Sequence, residues 1–430
     1  MRKMKSSGVE WIGEIPEDWD IKRLKAVLCE RNESNNPIKT DYILSLTNDR
    51  GVIPYDEKGD VGNKSKEDLS RYKLAYLNDI VLNSMNVIIG SVALSKYYGC
   101  VSPVYYMLYP RNPMDDVRYY NYIFQTKEFQ SKLKGYGNGI MAIRMRIQMS
   151  KLNTVELPTP DATTQTRIAD FLDDKCVKID RYIEKQQKII DKLKEYKQAV
   201  ITEAVTKGLN PDVPMKDSGI EWIGMIPEHW GIRRLRYLGT CVNGISKGGE
   251  YFGSGYPFVS YGDVYKNMEL PSSVAGLVET TEDEREWYSV KEGDVFFTRT
   301  SETIEEVALT STCMKTIENA TFAGFLIRFR PNTNLLTKGF SKYYFRSDKH
   351  RLFFVKEMNL VTRASLSQEL LKRLPVLLPT IDEQLTIAAY LEQKCSNIDE
   401  AINKKYSVIE KLIKYKKSLI YEAVTGKLEV

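Results

Sequence analysis

The segment SGVEWIGEIPEDW occupies residues 7–19, and SGIEWIGMIPEHW repeats it at residues 218–230 with ten of thirteen positions identical. Three large side chains keep a constant offset of 211 residues, namely Trp11, Trp19 and Arg23 against Trp222, Trp230 and Arg234. Because a repeat at a fixed period indicates a duplicated structural unit, the chain is expected to contain two copies of one unit, each about 210 residues long.

The two copies keep the same order of motifs to their ends. NDIVLNSMNVIIGSVALS from Asn78 corresponds to GDVFFTRTSETIEEVALT from Gly293, and an LPT tripeptide occurs at residues 157–159 and 378–380. Both copies then close on similar segments, KEYKQAVITEAVTKGL and IKYKKSLIYEAVTGKL. Agreement at the edges and divergence inside predict a common framework that presents two different surfaces.

The composition is that of a globular protein without membrane or secretion signals. The 430 residues exceed one ordinary domain, and 42% of them are hydrophobic. No apolar run reaches the length of about 18 residues that a membrane span needs. The N-terminal residues lack the apolar stretch of a signal peptide, and none of the six cysteines forms a C-x-x-C pair. These features predict a cytoplasmic protein with free thiols and no membrane partner.

Each copy is expected to begin with an α/β (mixed α+β) globular domain. β-branched and aromatic runs such as YKLAYLNDIVLN and FLIRFRP are typical of strands. YYNYIFQTKEFQSKLK and FSKYYFRSDKHRLFFVKEM have the apolar spacing of amphipathic helices.

Each copy is expected to end with a long helix, because apolar residues recur there at alternating spacings of four and three. The predicted seam consists of Ile179, Ile183, Ile190, Leu193, Val200 and Ala204 in the first copy and of Ile398, Ile402, Ile409, Leu412, Leu419 and Ala423 in the second. Polar residues interrupt both seams at equivalent places, Gln186 and Lys197 against Lys405 and Lys416.

Two matched seams in one chain favour pairing of the two long helices with each other. The alternative is that each helix lies alone on the surface of a globule. In the paired arrangement, two long antiparallel α-helices form a coiled-coil spacer, and the chain has an internal pseudo-two-fold repeat. At about 1.5 Å per residue, each helix would be roughly 60 Å long. This length could hold two globules on separate major-groove segments of DNA, which recur every 34 to 36 Å or so.

The patterns divide the chain into five segments. These are a first globular domain over residues 1–164, a first spacer helix over 165–207, a linker over 208–217, a second globular domain over 218–381 and a second spacer helix over 382–430. The linker assignment rests on two prolines between flanking glycines.

The distribution of charge points to nucleic acid more than the net charge of +5 does. Basic stretches lie at matching places in the two copies, at residues 111–150 and 328–373. The loops that follow them, and the residue pairs that end an earlier strand, are the candidate DNA contacts. The candidates are Asn83, Ser84, Lys134, Tyr136, Asn138, Arg144 and Arg146 in the first copy and Thr298, Arg299, Asn359, Thr362 and Arg363 in the second. Solvated surface loops and ordinary strand-end variation are the competing interpretations.

Along its whole length the chain resembles the specificity subunit of a Type I restriction–modification system. The resemblance rests on the twin SG[VI]EWIG…IPE.W openings, the LPT tripeptides, the DEQLTIAAYLEQK segment from Asp382 and the twin EAVT helix ends. One departure concerns the start of the first long helix. There DATTQTRIADFLDDK stands in place of DEQLTIAAYLEQK, two residues longer and without its Glu-Gln pair.

The resemblance implies that the partner is double-stranded DNA with a bipartite site. Each globule would read one half, while the paired helices would set the spacing and dock two methyltransferase subunits. Restriction–translocase subunits would be further partners. The resemblance implies no chemistry by this chain, so that S-adenosylmethionine, ATP and Mg²⁺ are expected only on partner subunits.

The residues themselves also predict no catalytic, cofactor or metal site. The chain has no Asn/Asp-Pro-Pro-aromatic methyltransferase motif, no phosphate-binding G-x-x-x-x-G-K-[ST] motif, and only two histidines. A twin-domain protein–protein scaffold without sequence-specific DNA binding is the main alternative. A fragment of a single-chain restriction–methylation enzyme is less consistent with the missing methyltransferase motif.

Overall fold

The computed structural model describes residues 2–59, 68–137, 146–301, 307–357 and 364–430. The chain divides into two compact units. Unit 1 comprises Met1–Gln187 and Tyr406–Val430, and unit 2 comprises Lys188–Lys405. Each unit therefore contains one globule and a part of each long helix. Within the described ranges, no helix combines the length and the apolar character needed to cross a membrane.

Unit 1 is a mixed α/β globule of short elements, as predicted. Its strands are β1 (Met4–Ser6), β2 (Glu14–Pro16), β3 (Asp20–Arg23), β4 (Leu28–Arg31), β5 (Leu44–Thr47), β6 (Gly51–Pro54), β7 (Lys73–Ala75), β8 (Ile80–Asn83), β9 (Val92–Leu94), β10 (Gly99–Val101), β11 (Tyr105–Pro110) and β12 (Glu156–Thr159). Its helices are α1 (Leu24–Val27), α2 (Val117–Gln125), α3 (Lys127–Leu133), α4 (Met149–Leu152) and the first part of α5 (Ala162–Lys207).

An antiparallel sheet of order β4-β11-β8-β9 forms the centre of unit 1. Apolar residues of the sheet, of α2 and α3 and of both long helices form one buried core. The segment predicted as one amphipathic helix forms α2 and α3 instead, because Thr126 interrupts it. The Thr126 hydroxyl donates to the Ile123 carbonyl and accepts from the Phe129 amide, so it ends one helix and caps the next.

Unit 2 has the same central sheet and an additional subdomain. Its strands are β13 (Met215–Asp217), β14 (Met225–Pro227), β15 (Gly231–Arg234), β16 (Gly239–Asn243), β17 (Phe252–Val259), β18 (Leu277–Val278), β19 (Val295–Thr298), β20 (Thr300–Ser301), β21 (Thr310–Thr312), β22 (Thr321–Phe322), β23 (Leu326–Pro331), β24 (Ala364–Ser365) and β25 (Pro375–Leu378). Its helices are α6 (Tyr261–Lys266), α7 (Glu282–Trp287), α8 (Lys338–Tyr344), α9 (Asp348–Glu357), α10 (Gln368–Arg373) and the first part of α11 (Ile381–Val424).

The antiparallel sheet of unit 2 has the order β16-β23-β19-β21, which repeats the topology of unit 1 strand for strand. One buried core lies between this sheet, α8, α9 and the long helices. A second core lies beneath β17, α6 and β18. The sequence repeat is therefore also a repeat of sheet topology.

The repeated SG…G motif forms the same loop in both units. The Ser7 amide donates to the Gly13 carbonyl at 2.9 Å, and the Ser218 amide donates to the Gly224 carbonyl at 3.0 Å. Gly13 and Gly224 have φ values of 74° and 77°, which favour glycine. Each loop joins the two strands of a hairpin, β1–β2 in unit 1 and β13–β14 in unit 2. Because β13 covers Met215–Asp217, the end of the predicted linker 208–217 is a strand.

The ends of the long helices pack against two of the repeated tryptophans. Gly208 follows α5 with a φ of 77°, and a Cβ there would lie 3.3 Å from Trp230 in unit 2. Gly426 follows α11 with a φ of 72°, and a Cβ there would lie 3.1 Å from Trp19 in unit 1. Each glycine therefore allows both a left-handed helix end and close packing on a buried indole.

The strand register corrects the expected alignment of the two helix starts. Glu156 pairs with Arg23 and Pro375 pairs with Arg234, so equivalent positions in this region differ by 219 residues. The two LPT tripeptides, which differ by 221, are therefore not equivalent, and no two-residue insertion precedes the first helix. Both long helices start at equivalent positions. The first helix starts at Ala162, a few residues before the expected 165, and the second starts at Ile381, one residue before the expected 382.

The predicted seam residues are buried or half-buried along both helices, and Ile190 is fully buried. In unit 1, Lys416 of α11 pairs with Asp180 of α5 at 2.7 Å. In unit 2, Lys197 of α5 pairs with Asp399 of α11 at 2.6 Å. These two lysines are polar interruptions of the predicted seams, so the ion pairs account for their presence there.

Candidate nucleic-acid interface

In each unit one backbone hydrogen bond joins two segments that the sequence analysis selected separately. In unit 1 the Ile147 amide donates to the Ser84 carbonyl at 2.9 Å. In unit 2 the Leu366 amide donates to the Arg299 carbonyl at 2.7 Å. We call these places the unit 1 junction (residues 83–84, 104 and 146–147) and the unit 2 junction (residues 298–299, 325 and 365–366). The strand end and the segment after the basic helix therefore meet at equivalent places in both globules.

In the unit 1 junction, the buried polar groups hold the backbone together. Ser84 is fully buried, and its hydroxyl donates to the Val104 carbonyl at 2.7 Å. The half-buried Asn83 accepts from the Met85 amide at 3.0 Å. Arg146 is exposed, and its side chain has no hydrogen bond or ion pair within the described part of the chain. Of these predicted contacts, Arg146 is available to a ligand, whereas Ser84 supports the loop.

The unit 2 junction has the same division between a structural and an available residue. Thr298 is fully buried, and its hydroxyl accepts from the Leu309 amide at 2.9 Å. The Arg299 amide donates to the Phe325 carbonyl at 2.9 Å, while its guanidinium forms no ion pair among the described residues. Next to it, Thr300–Ser301 pair with Ala364–Ser365 in a short antiparallel ladder. Arg299 is therefore a cation held by its backbone on a rigid strand end.

The other candidates fall into two groups. Asn138, Arg144, Asn359, Thr362 and Arg363 lie outside the described residues. Lys134 is exposed, and Tyr136 packs partly against the core of unit 1. Tyr136 also lines a surface cleft of about 700 Å³ together with Trp11, Lys127 and Lys132. Lys134 thus remains a candidate cation, whereas Tyr136 has at least one structural contact.

Many bases of the two basic stretches are engaged inside their own globule. Arg118 pairs with Asp116 and Asp173 at 2.6 and 2.7 Å, and Arg330 pairs with the buried Asp294 at 2.6 Å. Burial lowers the pKa of the Arg328 guanidinium to about 10. The charge of these stretches therefore overstates the number of cations available to DNA. The junction arginines stand out because their side chains form no ion pair within the part of the chain that the structure describes.

The turns that complete the junctions were missed by the sequence analysis. Val104 and Phe325 precede β11 and β23, and they differ by 221 residues, as do Pro110 and Pro331 at the ends of these strands. That offset could have aligned the two turns. Their contact with residues 84 and 299 could not be predicted, since it depends on the antiparallel pairing of β8 with β11 and of β19 with β23.

The candidate interface of each unit consists of a cation, exposed in unit 1 and half-buried in unit 2, and polar backbone groups around its junction. Arg146 supplies the cation in unit 1, and Arg299 supplies it in unit 2. No group of His, Cys, Asp or Glu side chains suited to a metal ion occurs among the described residues.

Comparison with known proteins gives one consistent family. The sequence model of the Type I restriction modification DNA specificity domain matches residues 16–195 and 227–411. The Type I restriction enzyme MjaVIII specificity subunit of Methanocaldococcus jannaschii is 23% identical over 425 residues, covering 97% of this chain and 94% of that protein.

Two solved structures are similar in fold over nearly the whole chain. One comes from a study of complex assembly and conformational transition of the Type I restriction–modification system. It has a TM-score of 0.74 at 13% identity and covers 96% of this chain and 99% of that chain. The other is the HsdS subunit of Thermoanaerobacter tengcongensis, with a TM-score of 0.53 at 14% identity, covering 96% and 98%.

Proposed function

Because the chain belongs to the Type I restriction modification DNA specificity family, we propose that it is the subunit that reads the DNA sequence for such a system. The observation that carries this proposal is the pair of equivalent junctions. Each places an arginine, Arg146 or Arg299, whose side chain has no ion pair among the described residues on a backbone fixed by hydrogen bonds. Free guanidinium groups on a rigid frame suit bidentate contacts with guanine or with phosphate.

Each globule reads one half of a bipartite site on double-stranded DNA. The two sheets have the same strand order, so the frames are alike, but the residues at the junctions differ. Asn83 and Ser84 stand in unit 1 where Thr298 and Arg299 stand in unit 2. Like frames with unlike side chains give two half-sites of different sequence. A scaffold for two protein partners would not require free arginines at both junctions.

The two long helices form an antiparallel coiled-coil spacer related by a pseudo-two-fold axis. Contacts inside each unit support this arrangement, since Lys416 pairs with Asp180 in unit 1 and Lys197 pairs with Asp399 in unit 2. In unit 1 the start of α5 shares a core with the end of α11, and in unit 2 the end of α5 shares a core with the start of α11. The spacer fixes the distance between the half-sites and docks two methyltransferase subunits.

The chain performs no chemistry itself and works in the cytoplasm with its partners. Methyltransferase subunits supply S-adenosylmethionine chemistry, and restriction–translocase subunits supply ATP- and Mg²⁺-dependent chemistry. A solved structure with a TM-score of 0.74 comes from work on assembly of such a system, which supports assembly with partner subunits.

The test is to express the chain with its methyltransferase subunits and to map methylated bases by long-read sequencing. We expect one two-part sequence with a constant gap. Arg146→Ala should relax the first half only and Arg299→Ala the second half only, each weakening specific binding by about tenfold. Arg71→Ala, an exposed arginine outside the junctions, is the matched control. Methylation without a two-part pattern, or binding without sequence preference, would instead favour the protein–protein scaffold.

A further inference from the structure

Phe325 is an exposed aromatic residue at the centre of the unit 2 junction. Its side chain is 64% exposed and makes no ring contact with another described residue. Leaving a phenylalanine in water forgoes the free energy that burial of its ring would provide. An isolated exposed apolar side chain needs no explanation in general, but the position of this one is unusual.

The backbone around Phe325 is fixed on three sides. The Phe325 carbonyl accepts from the Arg299 amide at 2.9 Å, and the Leu326 amide closes the turn by donating to the Ala323 carbonyl at 2.9 Å. On the other side, the Gly324 amide donates to the Ile245 carbonyl at 2.8 Å. The turn therefore presents the phenyl ring from a rigid base, at little further cost in conformational entropy when a ligand binds.

Gly244 explains how the turn can be held so closely. A Cβ at Gly244 would lie 2.2 Å from the Ala323 carbonyl oxygen, so only glycine fits there. The glycine-rich segment GISKGGE (residues 244–250) therefore begins with the glycine that lets the turn carrying Phe325 pack closely.

Phe325 and Arg299 are neighbours across the sheet. The antiparallel pairing of β19 with β23 ends at Thr298 and Leu326, and the Arg299 amide donates to the Phe325 carbonyl just beyond it. The half-buried Arg299 and the exposed Phe325 are therefore adjacent through their backbones at one end of the sheet.

The equivalent position in unit 1 is different. Val104 occupies the place of Phe325, is half-buried, and accepts a hydrogen bond from the Ser84 hydroxyl. This position thus carries an aromatic ring in unit 2 and an aliphatic side chain in unit 1, as expected for a residue that distinguishes two half-sites.

We propose that Phe325 reads a thymine in the half-site bound by unit 2, through apolar contact between its ring and the thymine 5-methyl group. This inference rests on the proposed function and adds a residue that contacts a base. Phenylalanine is one of the side chains that recognise this methyl group in the major groove. The adjacent Arg299 would contact a neighbouring guanine or phosphate, so the pair combines an apolar and a cationic contact.

The test uses the complex with its methyltransferase subunits and synthetic duplexes carrying the mapped site. Thymines of the second half-site are replaced one at a time by uracil, which lacks only the methyl group. We expect one replacement to weaken binding of the wild-type complex several-fold. Phe325→Ala should weaken binding to the normal duplex by about tenfold, in the range of one mismatched base pair. The same uracil replacement should then have no further effect on the variant.

Trp287→Ala is the control, because Trp287 is 74% exposed but ends the acidic helix α7. It should bind as the wild type does, and thermal melting should show that both variants are folded. The proposal is overturned if Phe325→Ala keeps wild-type affinity and sequence preference, or if no thymine methyl group matters, or if the variant loses assembly with the methyltransferase instead. A wild-type complex that shows no two-part site would reject the proposed function itself, which is a separate result.

Discussion

Two equivalent buried aspartates keep the same position in both copies, but each pairs with an arginine on a different strand. Asp79 and Asp294 precede the equivalent strands β8 and β19, and both are almost fully buried. Asp79 accepts from Arg31 of β4, whereas Asp294 accepts from Arg330 of β23. The carboxylate has stayed in place while its guanidinium partner has moved to the neighbouring strand. The Arg31 guanidinium now lies 4.6 Å from the ring centroid of Tyr109, the residue equivalent to Arg330.

Asp79→Ala should therefore destabilise unit 1 strongly. The change leaves the part-buried Arg31 without its carboxylate and the Tyr76 amide without its acceptor, 2.9 Å away. We expect a loss of about 3 kcal/mol in the free energy of unfolding, measured by urea denaturation. Asp20→Ala removes an exposed carboxylate that pairs with Lys22 at 3.7 Å, and it should cost less than about 0.5 kcal/mol. Equal effects of the two changes would show that burial of the pair is unimportant.

His350 should make the stability of unit 2 depend on pH. The side chain is 2% exposed, its Nδ1 lies 2.8 Å from the Ser347 hydroxyl, and its ring packs against Tyr344. Burial lowers the pKa of His350 to about 3, so the unfolded chain takes up the proton first as the pH falls. This contribution to stability is complete above about pH 6.5 and is lost progressively as the pH falls toward 3.

Between pH 7 and pH 5 we expect unit 2 to lose about 2 kcal/mol of unfolding free energy. Denaturation at several pH values measures this slope. His350→Leu should flatten it over that range, whereas His229→Gln, a change at an exposed histidine, should leave it intact. A slope that survives in His350→Leu would assign the pH dependence to other groups.

The starts of the long helices show which features the sequence could predict. Their existence, and their seams to within a residue, followed from the apolar period, because that period depends only on local helix geometry. Their alignment did not, because a chance LPT match outweighed the strand register that only the folded chain reveals. Aligning Ile168 with Ile387 without a gap would have matched Gln165 with Gln384. The junctions lay beyond prediction, since they join segments more than sixty residues apart through backbone atoms.

Gln165 and Gln384 tie each long helix to its globule in the same way. Gln165 accepts from the Asp116 amide at 3.0 Å and donates to the Pro160 carbonyl. Gln384 accepts from the Thr337 amide at 2.8 Å and donates to the Pro379 carbonyl. Both side chains are buried, so each glutamine satisfies backbone groups that would otherwise have no hydrogen-bond partner, either from water or from the protein. The capping residues around them differ, Asp161 with Thr164 in one copy and Thr380 with Glu383 in the other.

Gln384→Ala should loosen the start of α11 from unit 2. It leaves the Thr337 amide and the Pro379 and Leu335 carbonyls without the partner that Gln384 supplies. We expect a loss of at least about 3 kcal/mol and a fall of roughly 6 to 12 °C in the melting midpoint of unit 2. Gln393→Ala, on the exposed side of the same helix, should change stability by less than about 0.5 kcal/mol. If the two variants have the same melting midpoint, Gln384 does not anchor the helix.

The division of the chain into units differs from its division into sequence repeats, and this affects how specificity could be exchanged. Unit 2 holds the second globule together with Lys188–Lys207 of the first helix and Ile381–Lys405 of the second. A globule therefore contacts helical segments from both copies. Those segments include residues that the repeats share, such as Ala204 and Ala423, so a foreign globule of the same family should find matching surfaces.

Replacing residues 218–377 by the corresponding globule of another family member should therefore change one half-site and leave the other half and the gap unchanged. The junction of unit 1 and both long helices stay as they are, and in our proposal these fix the first half-site and the spacing. Long-read mapping of methylated bases in cells that carry the chimera with its methyltransferase measures all three features at once. A matched exchange within the first globule, over residues 7–158, should alter the opposite half. A chimera that changes both halves would show that the globules do not read independently, and one that changes only the gap would assign spacing to the globules rather than to the helices.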